Sequence, residues 1–243
     1  VASPVRLDAL LVARGLAGSR ERAKELIEAG EVLVDGLPST KAGARVKPDR
    51  DIRLVGGDFP WVGRGALKLL GALDAFPVAI DGRVCADLGA STGGFTEVLL
   101  SRGAARVYAI DVGRGQLAWK LREDLRVVVM EGTNARHLTS LPDPIDVIVG
   151  DLSFISLRLI LPTVRALLRP GGEAVLLVKP QFEAGKEAIG KGGLVRDAAE
   201  RSRAIAEVAA SAADHGFVVL GQADSVLPGA RSGNVEHFLH LRR

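Results

Sequence analysis

Two lysines and two carboxylates stand out for where they fall in the chain. Lys179 ends an otherwise apolar run, Ala174-Val175-Leu176-Leu177-Val178-Lys179, and an ammonium there is costly unless it finds partners. Asp151 closes a second apolar run, Lys68 lies in a helical stretch ahead of the first candidate strand, and Glu236 opens the last strand within Gly233-Asn234-Val235-Glu236. Each has an ordinary structural reading on its own: a strand-end charge, a turn former, a snorkelling helix residue, an edge-strand charge. All four nevertheless fall at one sheet end or on the adjoining helix. There, amines flanked by carboxylates can hold an oxygen nucleophile and stabilise charge, or accept a proton, as it reacts.

A second group could bind rather than react. Asp87-Leu88-Gly89-Ala90-Ser91-Thr92-Gly93-Gly94-Phe95 follows the candidate strand Val84–Leu88, and its glycines permit a sharp turn and close approach to a ligand. Asp111 ends the next strand, placed to accept from both hydroxyls of a ribose. Such a pair suits an adenosine-containing cofactor at the carboxyl ends of the strands. The loop reads G-A-S-T-G-G and lacks the G-x-G-x-x-G spacing that cradles a pyrophosphate. After the third strand, Glu131-Gly132-Thr133-Asn134 could offer amides to an adenine edge.

The elements that must position these groups alternate in type. Candidate strands at Val84–Leu88, Val107–Asp111, Val127–Glu131, Ile145–Asp151, Ala174–Lys179 and Phe217–Ser225 are separated by helical stretches, and Glu236–Leu241 is a final strand. The helices are Thr92–Arg102, Gln116–Glu123, Ser156–Leu168 and Ala198–His215, with Trp61–Phe76 ahead of them presenting Leu67, Leu70 and Leu73. Apolar runs alternating with helices predict an α/β fold, a Rossmann-like parallel sheet covered on both faces. Residues 1–54 read as a separate small α+β domain. It has a helix from Leu7 to a stop at Gly15, a helix N-capped by Ser19, a Val32–Val34 strand turning at Asp35-Gly36, and an extended stretch Val46–Leu54. Residues 55–60, with Gly56, Gly57 and Pro60, are the linker, and 61–243 the larger domain.

Composition excludes several classes. Forty-seven per cent hydrophobic and 25% charged residues describe a globular chain, and no apolar run reaches the ~18 residues needed to span a bilayer. Nothing before Arg6 resembles the core of a signal peptide, and the single cysteine, Cys85, precludes an internal disulfide; both fit a cytoplasmic protein. Four histidines at no metal-ligand spacing argue against a metal enzyme. The net charge is +3, and residues 1–54 carry 10 Lys and Arg against 8 Asp and Glu, so the excess concentrates there. With 4% aromatics, a nucleic-acid contact would lean on phosphates rather than on base stacking. Arg20 and Lys24 lie four apart on one helix face, with Arg22 close by.

Four resemblances follow from these motifs. R-L-D-x-x-L-V-x-R-G, then S-R-x-x-A-x-x-L-I-x-x-G-x-V-x-V-x-G, resembles the RNA-binding domain shared by ribosomal protein S-four and several RNA-modifying enzymes. The glycine turn resembles the first motif of S-adenosylmethionine-dependent methyltransferases. Gly63-Arg64-Gly65-Ala66-Leu67-Lys68, Gly150-Asp151-Leu152-Ser153-Phe154, Val178-Lys179-Pro180-Gln181-Phe182-Glu183 and Gly233-Asn234-Val235-Glu236 resemble the four segments of FtsJ-like ribose 2′-O-methyltransferases, with Gly63 where serine is usual. From Arg6 to Leu241 the chain resembles the TlyA-type family, historically labelled haemolysins and known as rRNA cytidine 2′-O-methyltransferases.

The resemblance implies a cytoplasmic enzyme that uses Lys68, Asp151, Lys179 and Glu236 on a ribose 2′-hydroxyl of ribosomal RNA. Asp151 and Glu236 would orient Lys179. It implies S-adenosylmethionine held by Asp87, Gly89, Ser91, Thr92, Gly93, Phe95, Asp111, Val112, Thr133, Asn134 and Asp151. RNA would meet Arg6, Arg14, Arg20, Arg22 and Lys24, then Arg64, Lys186 and Lys191 of the larger domain. Pro180–Arg196, carrying Lys186, Lys191 and Arg196, is either a flap closing on phosphates or an ordinary surface loop. A non-catalytic ribosome-assembly factor and, further off, a membrane-active haemolysin are the competing readings. Monomer and weak dimer stay open.

Overall fold

The computed structural model describes residues 4–14, 16, 17, 19–54, 61–190, 192–229 and 233–243. They form two compact units, Val1–Pro60 and Trp61–Arg243. The expected linker, residues 55–60, and the helix stop at Gly15 lie outside the described residues.

In the first unit β1 (Val5–Arg6) leads into α1 (Leu7–Ala13), and α2 (Arg20–Glu28) follows. The Ser19 side chain accepts from the Arg22 amide at 3.1 Å, capping α2 as its sequence position predicts. Leu7, Leu10 and Leu11 of α1 pack on Ala23, Leu26 and Ile27 of α2, with Val32 and Ile52 completing the core. β2 (Val32–Val34) and β3 (Leu37–Pro38) form a hairpin through Asp35-Gly36. The expected continuous stretch Val46–Leu54 is two strands. β4 (Arg45–Val46) pairs with β1 and β5 (Ile52–Leu54) with β2. Between them the Arg50 amide donates to Lys47 O, making a turn around Pro48, whose nitrogen has no proton to give a ladder.

The second unit opens with α3 (Gly65–Ala75), which begins four residues later than expected. Its buried face is Ala66, Lys68, Leu69 and Ala72, while Leu67, Leu70 and Leu73 are half-buried. Then come β6 (Val84–Leu88), α4 (Gly94–Ser101), β7 (Arg106–Asp111), α5 (Trp119–Arg122), β8 (Val127–Glu131), β9 (Ile145–Gly150), α6 (Leu161–Leu167) and β10 (Leu168–Val178). α7 (Pro180–Glu183), α8 (Ala198–Asp214), β11 (Val218–Asp224) and β12 (His237–Arg242) finish the unit. α5 is a single turn because the Glu131 carboxylate accepts from the Gln116 and Leu117 amides and holds them outside the helix. Two apolar clusters cover the sheet's faces, one including Leu69 and Val98, the other Ile160 and Val208.

The strand order is β11-β12-β10-β9-β6-β7-β8. β6 through β10 are mutually parallel, but β12 pairs antiparallel with both β10 and β11. The wholly parallel sheet that the alternating pattern suggested is therefore broken by its last strand. Reversal matters for the chemistry: an antiparallel β12 begins where the parallel strands end. Val178 pairs with His237, so Glu236 and Lys179 leave the sheet at the same edge. Leu88 and Leu176 both pair with Gly150, which brings Asp151 there too.

Candidate active site

The glycine turn packs tightly on the strand beside it. Gly89 has φ +87°, and a Cβ on it would stand 2.8 Å from the Asp151 carbonyl oxygen, so only glycine fits. Gly63 lies close to the same turn, where a Cβ would fall 2.6 Å from Thr92 Oγ1, so a side chain there would require the exposed Thr92 hydroxyl to turn away. Asp111 organises the loop. Its Oδ2 accepts from the Ser91 amide at 2.8 Å and its Oδ1 from the Gly113 amide at 2.7 Å. Each oxygen keeps further acceptor capacity, as a carboxylate has about four lone-pair sites. Ser91, Thr92 and Val112 are exposed beside it.

Other expected cofactor residues are placed differently. Gly93, at the N-cap of α4, would meet Leu117 and Leu121 if it carried a Cβ. The Phe95 ring is buried against Phe238, 6.3 Å between centroids, so its side chain belongs to the core. Asp87 is fully buried: Thr96 Oγ1 donates to its Oδ2 at 2.7 Å, and its Oδ1 has no partner. Burial pushes this carboxyl up to about 7. The Gly132 and Thr133 amides are already spent on Gly113 O and Asp111 O, and Asn134 caps the next turn through the Arg136 amide. They brace the β7–β8 edge, with both amides engaged inside the chain.

The four charged residues converge as an alternating row. Lys179 Nζ lies 2.6 Å from Asp151 Oδ1, Lys68 Nζ lies 3.5 Å from Asp151 Oδ2, and Lys68 Nζ lies 2.6 Å from Glu236 Oε2. The Lys179–Asp151 contact is an ion pair off the hydrogen-bonding axis, leaving Asp151 Oδ1 without a well-directed donor. Glu236 thus partners Lys68 and not Lys179, a correction to the expected pairing, because its carboxylate turns towards α3. Burial raises the Asp151 pKa, but the ammoniums of Lys68 and Lys179 outweigh it and leave the carboxyl below its ordinary value.

Two participants were not singled out by sequence reasoning. Ser153 Oγ lies 2.8 Å from Lys179 Nζ, a second anchor for that amine. Glu183 is buried; it accepts from Ser156 Oγ at 2.6 Å and the Leu157 amide at 2.7 Å, tying α7 to the loop after Asp151. Burial raises the Glu183 pKa. Its place in Lys179-Pro180-Gln181-Phe182-Glu183 was the available signal. This attachment makes the start of Pro180–Arg196 a docked helix rather than free loop.

In the first unit, exposed Arg14 donates through Nη2 to the carbonyls of Pro48 and Arg50, which ties it to the turn around Pro48. Arg22 and Lys24 form exposed pairs with Glu25 and Glu28. Arg6 and Arg20 share Asp8. Arg64 is half-buried at the N-cap of α3, while Lys191 and the Lys186 side chain lie outside the described residues.

Residues 61–243 match the model of the FtsJ-like methyltransferases, and residues 5–52 match the S4 domain. The chain belongs to the FtsJ-like methyltransferase family. It is 53% identical over 245 residues to the 16S/23S rRNA (cytidine-2′-O)-methyltransferase TlyA of Mycobacterium tuberculosis, covering 100% of this chain and 91% of the relative. A haemolysin-named structure from Streptococcus thermophilus superposes with TM-score 0.76 at 41% identity, covering 100% of this chain and 90% of that one. An S-adenosylmethionine-dependent methyltransferase structure from Listeria monocytogenes shares the fold at TM-score 0.56 and 15% identity, covering 74% of this chain and 98% of that one. This FtsJ-like chain therefore carries its lysines and carboxylates on a methyltransferase sheet.

Proposed function

We propose that the chain transfers a methyl group from S-adenosylmethionine to the ribose 2′-hydroxyl of a cytidine in ribosomal RNA, in the cytoplasm. The observation that carries this reading is the row Lys179–Asp151–Lys68–Glu236 beside the glycine turn, its lysines and Glu236 buried and Asp151 half-buried, in a chain 53% identical to an enzyme named for that reaction. The turn suits the cofactor: Gly89 leaves the space that a Cβ would fill, and Asp111 keeps acceptor capacity facing exposed Ser91 and Val112. When bound, S-adenosylmethionine supplies a methyl group already activated by its sulfonium.

The chain's own residues then have three tasks. Asp111 holds ribose hydroxyls, and the Gly89–Gly93 turn lets the backbone come close. Lys179, fixed by Asp151 and Ser153, holds the substrate oxygen and stabilises its negative charge as the hydroxyl proton passes to solvent water. Lys68, pinned to Glu236, keeps Asp151 ionised and in place, so that Glu236 acts at one remove. The S4 unit supplies docking on folded RNA through phosphates.

An assembly factor without catalysis would not need an intact row. A membrane-active haemolysin would need an amphipathic or spanning segment with an exposed apolar surface; among the described residues no helix is long and apolar enough to cross a membrane. The deciding experiment incubates ribosomal particles with labelled S-adenosylmethionine and maps the product. Label on cytidine 2′-oxygens supports the reading; label only on bases, or none with any particle, overturns it.

A further inference from the structure

We propose that Asp8 is a positioning residue for RNA docking, holding the Arg6 and Arg20 guanidiniums side by side as a two-pronged phosphate clamp. This rests on the reading that the S4 unit docks on ribosomal RNA. Asp8 Oδ1 accepts from Arg6 Nε at 3.0 Å and from the Ala9 amide at 2.8 Å. Its Oδ2 accepts from Arg6 Nη2 at 2.7 Å and from Arg20 Nη2 at 3.1 Å. The carboxylate is buried, with 6% of its side chain exposed, whereas Arg6 and Arg20 are 51% and 56% exposed. The negative charge is thus hidden behind the two cations and the unit presents their outer N–H groups.

Two guanidiniums brought together in the open repel each other, and each loses considerable rotamer freedom when a phosphate immobilises it. A buried carboxylate between them cancels the repulsion and sets both forks before RNA arrives, which is preorganisation. Arg22 and Lys24 have no such arrangement: their partners are exposed glutamates on the same helix, in pairs of little energetic weight.

A clamp held by Asp8 responds to charge removal with the sign opposite to that of simple electrostatics. Removing a negative charge beside a phosphate site should tighten binding; removing a positioner should weaken it. Full-length Asp8→Asn and Arg20→Ala proteins are titrated with unmethylated ribosomal subunits across a potassium chloride series, and KM and kcat are measured on the same particles. Asp8→Asn is expected to weaken binding about tenfold and raise KM, with kcat and the slope of log affinity on log salt unchanged, since the cations remain. Arg20→Ala should weaken binding and flatten the slope by about one phosphate contact. Equal or tighter binding by folded Asp8→Asn overturns the proposal. Should Asp8→Asn melt the unit, Arg6→Lys keeps the charge but cannot grip Asp8 at two points; weaker binding at constant slope supports the clamp and wild-type binding sinks it. If Arg20→Ala changes neither affinity nor slope, the docking reading itself fails, an outcome distinct from a failure of Asp8 alone.

Discussion

Lys68 Nζ and Glu236 Oε2 lie 2.6 Å apart although their residues are 168 positions apart in the chain, and only 8% and 2% of the two side chains are exposed. Ions withdrawn this far from water gain little net stability from pairing, yet stranding one of them is expensive. The pair therefore makes sense as a fixture: it holds α3 against the start of β12 and keeps Asp151 between two ammoniums.

Breaking that fixture has a measurable cost. Glu236→Gln is expected to lower unfolding free energy by about 2–4 kcal/mol, and Lys68→Met by a similar amount. The double substitution should cost less than the sum, because neither charge is then left alone. Urea unfolding of the four proteins measures the coupling; strict additivity would remove the pair from the account.

Lys179→Ala should retain S-adenosylmethionine affinity by calorimetry while losing methyl transfer by at least about a hundredfold, the scale of a lost electrostatic stabiliser. Ser153→Ala removes one of the amine's two anchors and should cost about tenfold in kcat with cofactor affinity intact. Full turnover by Lys179→Ala would exclude this amine from the mechanism.

Gly89→Ala places a methyl group 2.8 Å from the Asp151 carbonyl oxygen at a φ of +87°. The expected result is destabilisation by about 1–3 kcal/mol together with loss of cofactor binding, because the turn and the Asp151 strand end must part. A folded variant with wild-type cofactor affinity would show that the turn is not the adenosyl site.

Asp87 makes stability depend on pH. Its folded value of about 7 lies above the ordinary 3.8, so between them the folded protein keeps a proton that the unfolded chain has lost. Its contribution to stability therefore falls as pH rises through that window, with a slope of at most about 1.4 kcal/mol per pH unit, and levels off above it. Asp87→Asn should remove that slope and be the more stable protein at pH 8. Asp151 works in the opposite sense: its depressed value gives stability that is present above 3.8 and lost as pH falls through the folded value. Denaturation midpoints from pH 4 to pH 8 check the Asp87 difference; parallel curves for wild type and Asp87→Asn would refute it.

Arg14 should behave as a structural residue. Because its guanidinium donates to the Pro48 and Arg50 carbonyls, Arg14→Ala is expected to lower the melting temperature of the S4 unit and leave the salt dependence of RNA binding unchanged. A flatter salt slope would show that Arg14 meets phosphate as well.

Local chemistry was legible wherever neighbours in sequence carry the signal. The Ser19 cap, the Asp35-Gly36 hairpin, the strand runs ending at Leu88 and Glu131 and the glycine turn each depend on a few adjacent residues, and the structure places them as read. The membership of the charged row was also legible, since Lys179 and Asp151 end apolar runs that could not bury them unpaired. Helix starts were less so, because tertiary partners override local pattern: Glu131 withholds two amides from α5.

By itself, then, the sequence determined an alternating α/β sheet with a small basic unit ahead of it, and which charged residues end strands at one sheet edge. Periodicity, turn chemistry and the cost of burying charge are properties of short segments. Who pairs with whom was decided only by tertiary structure. The antiparallel run of β12 sends Glu236 to Lys68 rather than to Lys179, burial takes Asp87 and Phe95 into the core, and a buried Asp8 joins Arg6 to Arg20 across 14 positions. Those outcomes depend on strand direction and side-chain reach between segments far apart in the chain, which no local pattern encodes.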